Sequence, residues 1–187
     1  MLLTMRGQWH QLKESPLIKF LMLAATFYML STLEGPIQSI KSVNALAHFT
    51  DWIVGHVHDG VLGWVGFTII AASYHMLPRM YKREIYSRKI MDIQFWIMTI
   101  GIVFYFSSMW IAGITQGMMW RDVDQNGYLA YQFIDTVSVL FPYYLIRAIG
   151  GTMYLVGFIM FIYNVAMTIT AARQLESEPK SASPMAA

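Results

Sequence analysis

Cysteine is absent from this 187-residue chain. That excludes a disulfide framework, an iron–sulfur cluster held by thiolates, and a haem attached through a CxxCH motif. Charge is scarce as well: 13% of residues are Asp, Glu, Lys or Arg, against about 25% in an ordinary soluble domain. The net charge is +2, and no basic stripe with interleaved aromatics occurs, so nucleic acid is a poor partner. The opening stretch MLLTMRGQWHQLKESP lacks the compact apolar core and small-residue cleavage site of a signal peptide. What fills the chain instead is apolar: 56% hydrophobic residues, 15 methionines, 11 tyrosines, 11 phenylalanines and 6 tryptophans. At that polarity a compact soluble fold is not expected.

Four long apolar segments stand out, at about 17–38, 56–77, 93–116 and 144–171. Each supplies roughly the 20 residues that a membrane-spanning helix needs. Gly, Ser and Ala recur in all four, as where helices pack closely in lipid. The expected fold is all-α, a four-span polytopic bundle over 1–175, followed by a loose polar tail at 176–187. Gly35-Pro36 is expected to end or kink the first span, and Leu77-Pro78 to close the second. Asp122, Asp124, Gln125, Asn126 and Gly127 form a turn cluster in a long loop, 117–143. Their spacing resembles the opening of a calcium loop, but the twelve-residue pattern is incomplete.

Basic residues are unevenly placed. Arg6, Lys13 and Lys19 lie at the start, Arg79, Lys82, Arg83, Arg88 and Lys89 between the second and third segments, and Arg173 and Lys180 in the tail. The opposite side holds Lys41, Arg121 and Arg147. The positive-inside rule then expects both ends of the chain and the 79–91 loop in the cytoplasm. Loops 39–55 and 117–143 would face outward, with His56 and His58 near the outer surface.

The stretch Trp52-Ile53-Val54-Gly55-His56-Val57-His58-Asp59-Gly60 is the most informative. Each helical residue turns by about 100°, so His56 and His58 point about 200° apart. They are not placed to share one metal as an i,i+4 pair does. Each can reach its own prosthetic group on an opposite face, and imidazole is a strong ligand for haem iron. The chain therefore reads as an electron-transfer or redox-catalytic membrane protein. Polar caps at a membrane interface are the ordinary alternative. Gly55, Gly60, Gly63 and Gly66 remove bulk, which leaves room for something flat or serves close helix packing.

Glu34 sits deep in the first segment, where a lone carboxylate is expensive and usually functional. It could accept a bond from a histidine ring N–H and make that imidazole more electron-rich; a neutral buried acid is the alternative. Asn44, His48, Asp51 and Trp52 could hold the acidic rim of a cofactor, or form an interface belt. Tyr28 lies within the first span as a proton-path or packing residue.

Five stretches carry a resemblance: LLTMRGQWH (2–10), FYMLSTLEGP (27–36), KSVNALAHFTDWIVGHVHDGVLGWVGF (41–67), FWIMTIGIVFYFSSMWIAGITQGMMW (95–120) and PYYLIRAIGGTMYLVGFIMFIYNVAMT (142–168). The chain resembles the C-terminal third of the catalytic subunit of cbb-type cytochrome c oxidases, the C family of haem–copper oxidases. The resemblance implies that His56 ligates a high-spin haem b, that His58 ligates a low-spin haem b, and that Glu34 bonds to His56. It places Tyr28, Asn44, His48 and Trp52 along the haems or their propionates. Such subunits have about twelve spans of about 20 residues, and four are present here. The copper-binding histidines, the cross-linked tyrosine and the second axial histidine belong to the N-terminal part of such subunits. The chain is thus expected to be a fragment, a split subunit or a truncated product, inactive alone. Phe141 stands before Pro142 where relatives often have His.

The implied complex lies in a bacterial inner membrane, oxidises cytochrome c and reduces oxygen to water with proton translocation. Its partners would be the missing N-terminal part, c-type haem subunits, cytochrome c and membrane lipid, with copper in the complete subunit. A nitric-oxide-reductase-like subunit using non-haem iron, and a non-catalytic di-haem b electron-transfer protein, are the alternatives.

Overall fold

The structure is a computed structural model that describes residues 3–177. Among the described residues, four helices are long and apolar enough to cross a membrane: Pro16–Ser39, Asp51–Met80, Arg88–Met119 and Phe133–Ala172. The chain is an all-α, multi-pass membrane bundle. A short α1 (Gln11–Glu14) precedes α2 (Pro16–Ser39). After α3 (Lys41–Ala47) and α4 (Asp51–His58), a π-helical segment (Asp59–Gly66) runs into α5 (Phe67–Met80). Then come α6 (Arg88–Met119) and α7 (Phe133–Ser177). Of the expected tail, 176 and 177 continue α7 and the remainder lies outside the described residues.

Local chemistry sets the helix starts. Pro16 opens α2, where its fixed φ suits the first turn and no N–H is missed. Ser87 caps α6 by accepting from the Ile90 N–H at 3.2 Å. Thr50 caps α4, accepting from the Trp52 N–H at 3.3 Å and donating to the Ala47 carbonyl at 2.6 Å.

Three expected boundaries are corrected. Pro78 lies inside its helix rather than closing it, while Pro36, expected to end or kink its span, lies inside α2. Each sits in the last turn, where a proline displaces one ladder bond and little helix follows; the Ser39 hydroxyl also donates to the Pro36 carbonyl at 2.7 Å. The second span starts at Asp51 instead of 56, so both histidines lie inside the helix rather than at its mouth. The fourth starts at Phe133 instead of 144 and carries Pro142 within it, which shortens the expected 117–143 loop to 120–132. In that loop Gly127 takes φ +83, a left-handed turn position suited to glycine. The backbone N–H groups of Tyr128 and Asn126 bond to Asp124 and hold its exposed carboxyl below the usual carboxylate range.

The core is aromatic and centred on α6. Phe20, Phe27, Phe67, Phe95 and Phe106 are buried together, with Phe20 edge-on to Phe95 at 5.2 Å. Helices α6 and α7 approach closely at Gly101 and Gly150. A Cβ on Gly101 would lie 2.7 Å from the Gly150 carbonyl oxygen, so no larger residue fits this crossing. At one end, a polar cluster ties the turn at 81–87 to α7. The Tyr74 hydroxyl donates to Gln94 at 2.6 Å, and the Asn164 amide donates to Tyr74 at 3.2 Å and to the Ser87 carbonyl at 3.0 Å. Asn164 in turn accepts from the Ser87 N–H at 3.0 Å, and Thr168 accepts from the Tyr86 N–H at 3.0 Å.

Candidate functional site: the Glu34, His56 and Asp59 cluster

The start of α4 is locked against α6 and α7. The Asp51 carboxylate accepts from the Gln116 amide at 2.9 Å and from the Tyr144 hydroxyl at 2.9 Å. Its backbone N–H donates to Gln116 Oε1 at 2.6 Å. An acid in the first helical turn also suits the dipole there. Gly113 lets the α6 backbone pass directly over Trp52, where any Cβ would collide with the Trp52 backbone nitrogen. The indole is thereby held in place, and its N–H donates to Glu34 Oε1 at 2.8 Å.

The second oxygen of Glu34 faces His56, with Nδ1 to Oε2 at 2.9 Å. Glu34 is 7% exposed, and two N–H groups from α4 serve its two oxygens. His58 turns to the other side of the helix. Its Nδ1 lies 2.7 Å from the Val54 carbonyl oxygen. A carbonyl only accepts, so Nδ1 carries the proton and Nε2 keeps its lone pair. The Tyr105 ring stacks on His58 at 4.6 Å, with its hydroxyl 3.3 Å from Nε2.

This pattern is compatible with metal ligation. A ligating histidine uses one ring nitrogen for the metal and commonly donates the other N–H to a carboxylate or a backbone carbonyl. Here one histidine has the carboxylate and the other the carbonyl. The donor chemistry of the two residues fits ligands to two separate metal centres.

Asp59 completes the cluster. It follows His56 by three residues, so both project from one side of the helix. It has no exposed surface, and neither carboxylate oxygen has a hydrogen-bond partner among the described residues. Donor atoms of Glu34, His56 and Asp59 all lie within 4.8 Å of one another.

Other expected site residues stand apart. Tyr28 is 46% exposed and packs on Trp64 at 4.7 Å. Asn44 donates to the Gln38 carbonyl at 3.2 Å. His48 ends α3, exposed beside Phe49 at 4.0 Å. None of these three is hydrogen-bonded to Glu34, His56 or His58. The glycines answer the question of spare room: Gly55 meets the Trp110 ring, Gly60 the Ser31 hydroxyl and Gly63 the Phe27 ring. They serve helix packing rather than an open slot.

Four participants escaped the sequence reading: Asp59, Tyr105, Gln116 and Tyr144. Asp59 had a usable signal, a carboxylate in a membrane span directly after two histidines. The other three come from helices far along the chain and carry no local mark.

Comparison with known proteins places these features in context. Residues 1–153 match the family described as Cytochrome C and Quinol oxidase polypeptide I. A cytochrome c oxidase subunit 1 homolog of Agrobacterium tumefaciens (strain T37) is 44% identical over 98% of this chain and 34% of its own length. A cbb3-type cytochrome c oxidase subunit of Stutzerimonas stutzeri is 43% identical over 94% of this chain and 37% of its own length. The chain thus spans about a third of the length of these curated relatives. A solved haem–copper terminal oxidase dimer shares the fold at a TM-score of 0.64 and 18% identity, covering 82% of this chain and 26% of that one.

Proposed function

This chain belongs to the Cytochrome C and Quinol oxidase polypeptide I family, and from that premise we propose that it is the histidine-bearing part of a membrane redox subunit. The observation that carries the reading is the pair of oriented imidazoles. His56 and His58 leave one helix on opposite sides, each with Nδ1 engaged; a haem iron at Nε2 of His58 would take the place of the Tyr105 hydroxyl, 3.3 Å away. Bound haem would supply one-electron chemistry and activation of a small oxidant.

The chain's own residues supply position and charge. Glu34 fixes the orientation of the His56 ring and makes its Nε2 a stronger donor. Trp52 holds Glu34, and Asp51, Gln116 and Tyr144 hold the helix turn that carries Trp52. Val54 and Tyr105 set the plane of His58. The short helical distance between the two histidines keeps electron transfer between their groups short.

The finer assignment rests on the resemblance to cbb-type oxidases, and one relative carries a cbb3-type name. It is a C-family subunit in a bacterial inner membrane, with the high-spin haem b at His56 and the low-spin haem b at His58. Tyr28, Asn44 and His48 lie toward the haem edges. The donors are cytochrome c and c-type haem subunits, and the missing N-terminal part of the subunit supplies the remaining ligands. Both ends of the chain and the turn at 81–87 face the cytoplasm.

For the second metal of the reaction centre, the nitric-oxide-reductase-like reading draws more support from this chain than oxygen reduction at copper does. The donor set is two carboxylates and one imidazole, which suits iron better than a three-imidazole copper site. Metal analysis of the purified whole complex tests the choice. Iron in excess of haem, with no stoichiometric copper, is expected on this reading. One copper per complex, and no iron beyond haem, would return the assignment to an oxygen-reducing oxidase. No haem at all would defeat both.

A further inference from the structure

We propose that the groove between the N-terminal parts of α2 and α6 binds one anionic phospholipid, with its phosphate at Lys13 and Lys19 and an acyl chain along Trp96. The inference rests on the chain spanning a membrane and not on what its histidines bind. The groove has a volume of about 610 Å³, inside the range of about 300–1,000 Å³ for sites that take small molecules. Its floor is Met22, Leu23 and Phe95, and Trp96 forms one wall. Thr26 also borders it, but its hydroxyl donates back to the Met22 carbonyl at 3.0 Å. The body of the groove is therefore apolar. Trp96 is 56% exposed, an indole left uncovered where such rings commonly meet lipid.

Charge selects the occupant. Lys13 borders the groove from α1 and Lys19 from the start of α2. Lys19 Nζ lies 2.6 Å from Asp92 Oδ1. An ammonium has three donors, so this contact leaves Lys19 able to bind a second anion. Lys13 makes no ion pair among the described residues. Lys89 precedes Asp92 by three residues and Trp96 by seven, which places all three on one face of α6. Three cations thus stand about one half-exposed carboxylate. Glu14, beside Lys13 in sequence, borders a separate groove with Arg88.

The result is a net positive mouth over an apolar cleft. A phospholipid carries the complementary arrangement, a phosphate above a hydrocarbon chain, and basic pockets between membrane helices bind such headgroups. A protein helix filling the same groove would have to bring its own acid into the bilayer, which is costly.

The test uses the purified whole complex, stripped of lipid in detergent. It is titrated with phosphatidylglycerol or phosphatidylcholine carrying brominated acyl chains, which quench tryptophan fluorescence. The chain has six tryptophans, so the quenching that disappears in Trp96→Phe is the part that reports this groove. Phosphatidylglycerol is expected to quench Trp96 at about tenfold lower concentration than phosphatidylcholine, with the preference lost at high salt. Lys13→Gln should weaken phosphatidylglycerol about fivefold and leave phosphatidylcholine unchanged. Asp92→Asn releases Lys19 and should tighten phosphatidylglycerol binding, a gain that mere loss of a structural ion pair would not give. Should Lys13→Gln fail to assemble, Asp92→Asn and the salt dependence decide. Equal concentrations for the two lipids, or weaker phosphatidylglycerol binding in Asp92→Asn, overturns the site. No Trp96-dependent quenching by either lipid would show the groove covered by another part of the subunit or by a partner chain, and also overturns it.

Discussion

Two clusters of buried polar side chains lie in the same bundle, and they are completed to different degrees. Near the turn at 81–87, Tyr74, Gln94, Asn164 and Thr168 form a closed set. Their hydroxyl and amide groups bond to one another or to the backbone of Tyr86 and Ser87. Around α4, Glu34 and His56 are paired, yet Asp59 is left without a partner. The first cluster is neutral throughout; the second contains two acids and an imidazole. A closed neutral network rigidifies a fold. An open cluster of ionisable groups is costly to keep unless something binds it or uses it. The difference assigns architecture to the first cluster and chemistry to the second.

The strongest way to break that division is to remove the histidines. His58→Ala in the full complex is expected to remove one haem, with loss of the low-spin spectrum. His56→Ala should remove or alter the other, with its carbon-monoxide-binding spectrum. A full haem complement in both variants, counted as pyridine haemochrome, would place the chemistry elsewhere.

The converse change sharpens the contrast. Asn164→Ala leaves buried partners unpaired, at about 1–3 kcal/mol for each such group. Thermal unfolding in detergent is expected to drop accordingly while the haem spectrum stays fixed. A haem spectrum that moves while the melting temperature does not would reverse the roles of the two clusters.

A smaller effect concerns which side of the membrane each cluster serves. Single cysteines at Lys82 and Asn126 should label from opposite faces, with position 126 reactive in intact cells and position 82 only after permeabilisation. Labelling of both from one side would contradict the four-span arrangement.

Much of this bundle was legible in the sequence. Apolar runs of spanning length located all four membrane helices, because lipid forces each span to satisfy its own backbone. Glu34 and the two histidines announced themselves as polar groups where polarity is expensive. The helix ends were hidden: Pro36, Pro78 and Pro142 look like breakers, yet the helices run through them. The partners of α4 were hidden for another reason. Gln116 and Tyr144 reach Asp51 across 65 and 93 positions of sequence, and no local pattern encodes that meeting. Asp59 could be seen on the His56 side of the helix, but its lack of partners is a property of packing alone.

The central claim is that the charge of Glu34 acts on whatever iron His56 binds, and redox titration of Glu34→Gln beside Asn164→Ala tests it most directly. Gln keeps a hydrogen bond but loses the negative charge, so His56 becomes a weaker donor and stabilises ferric iron less. The expected result is a higher potential for the haem at His56 in Glu34→Gln, a smaller change for the haem at His58, and none for either haem in Asn164→Ala. An unmoved potential at His56, or an equal shift in both variants, would contradict it.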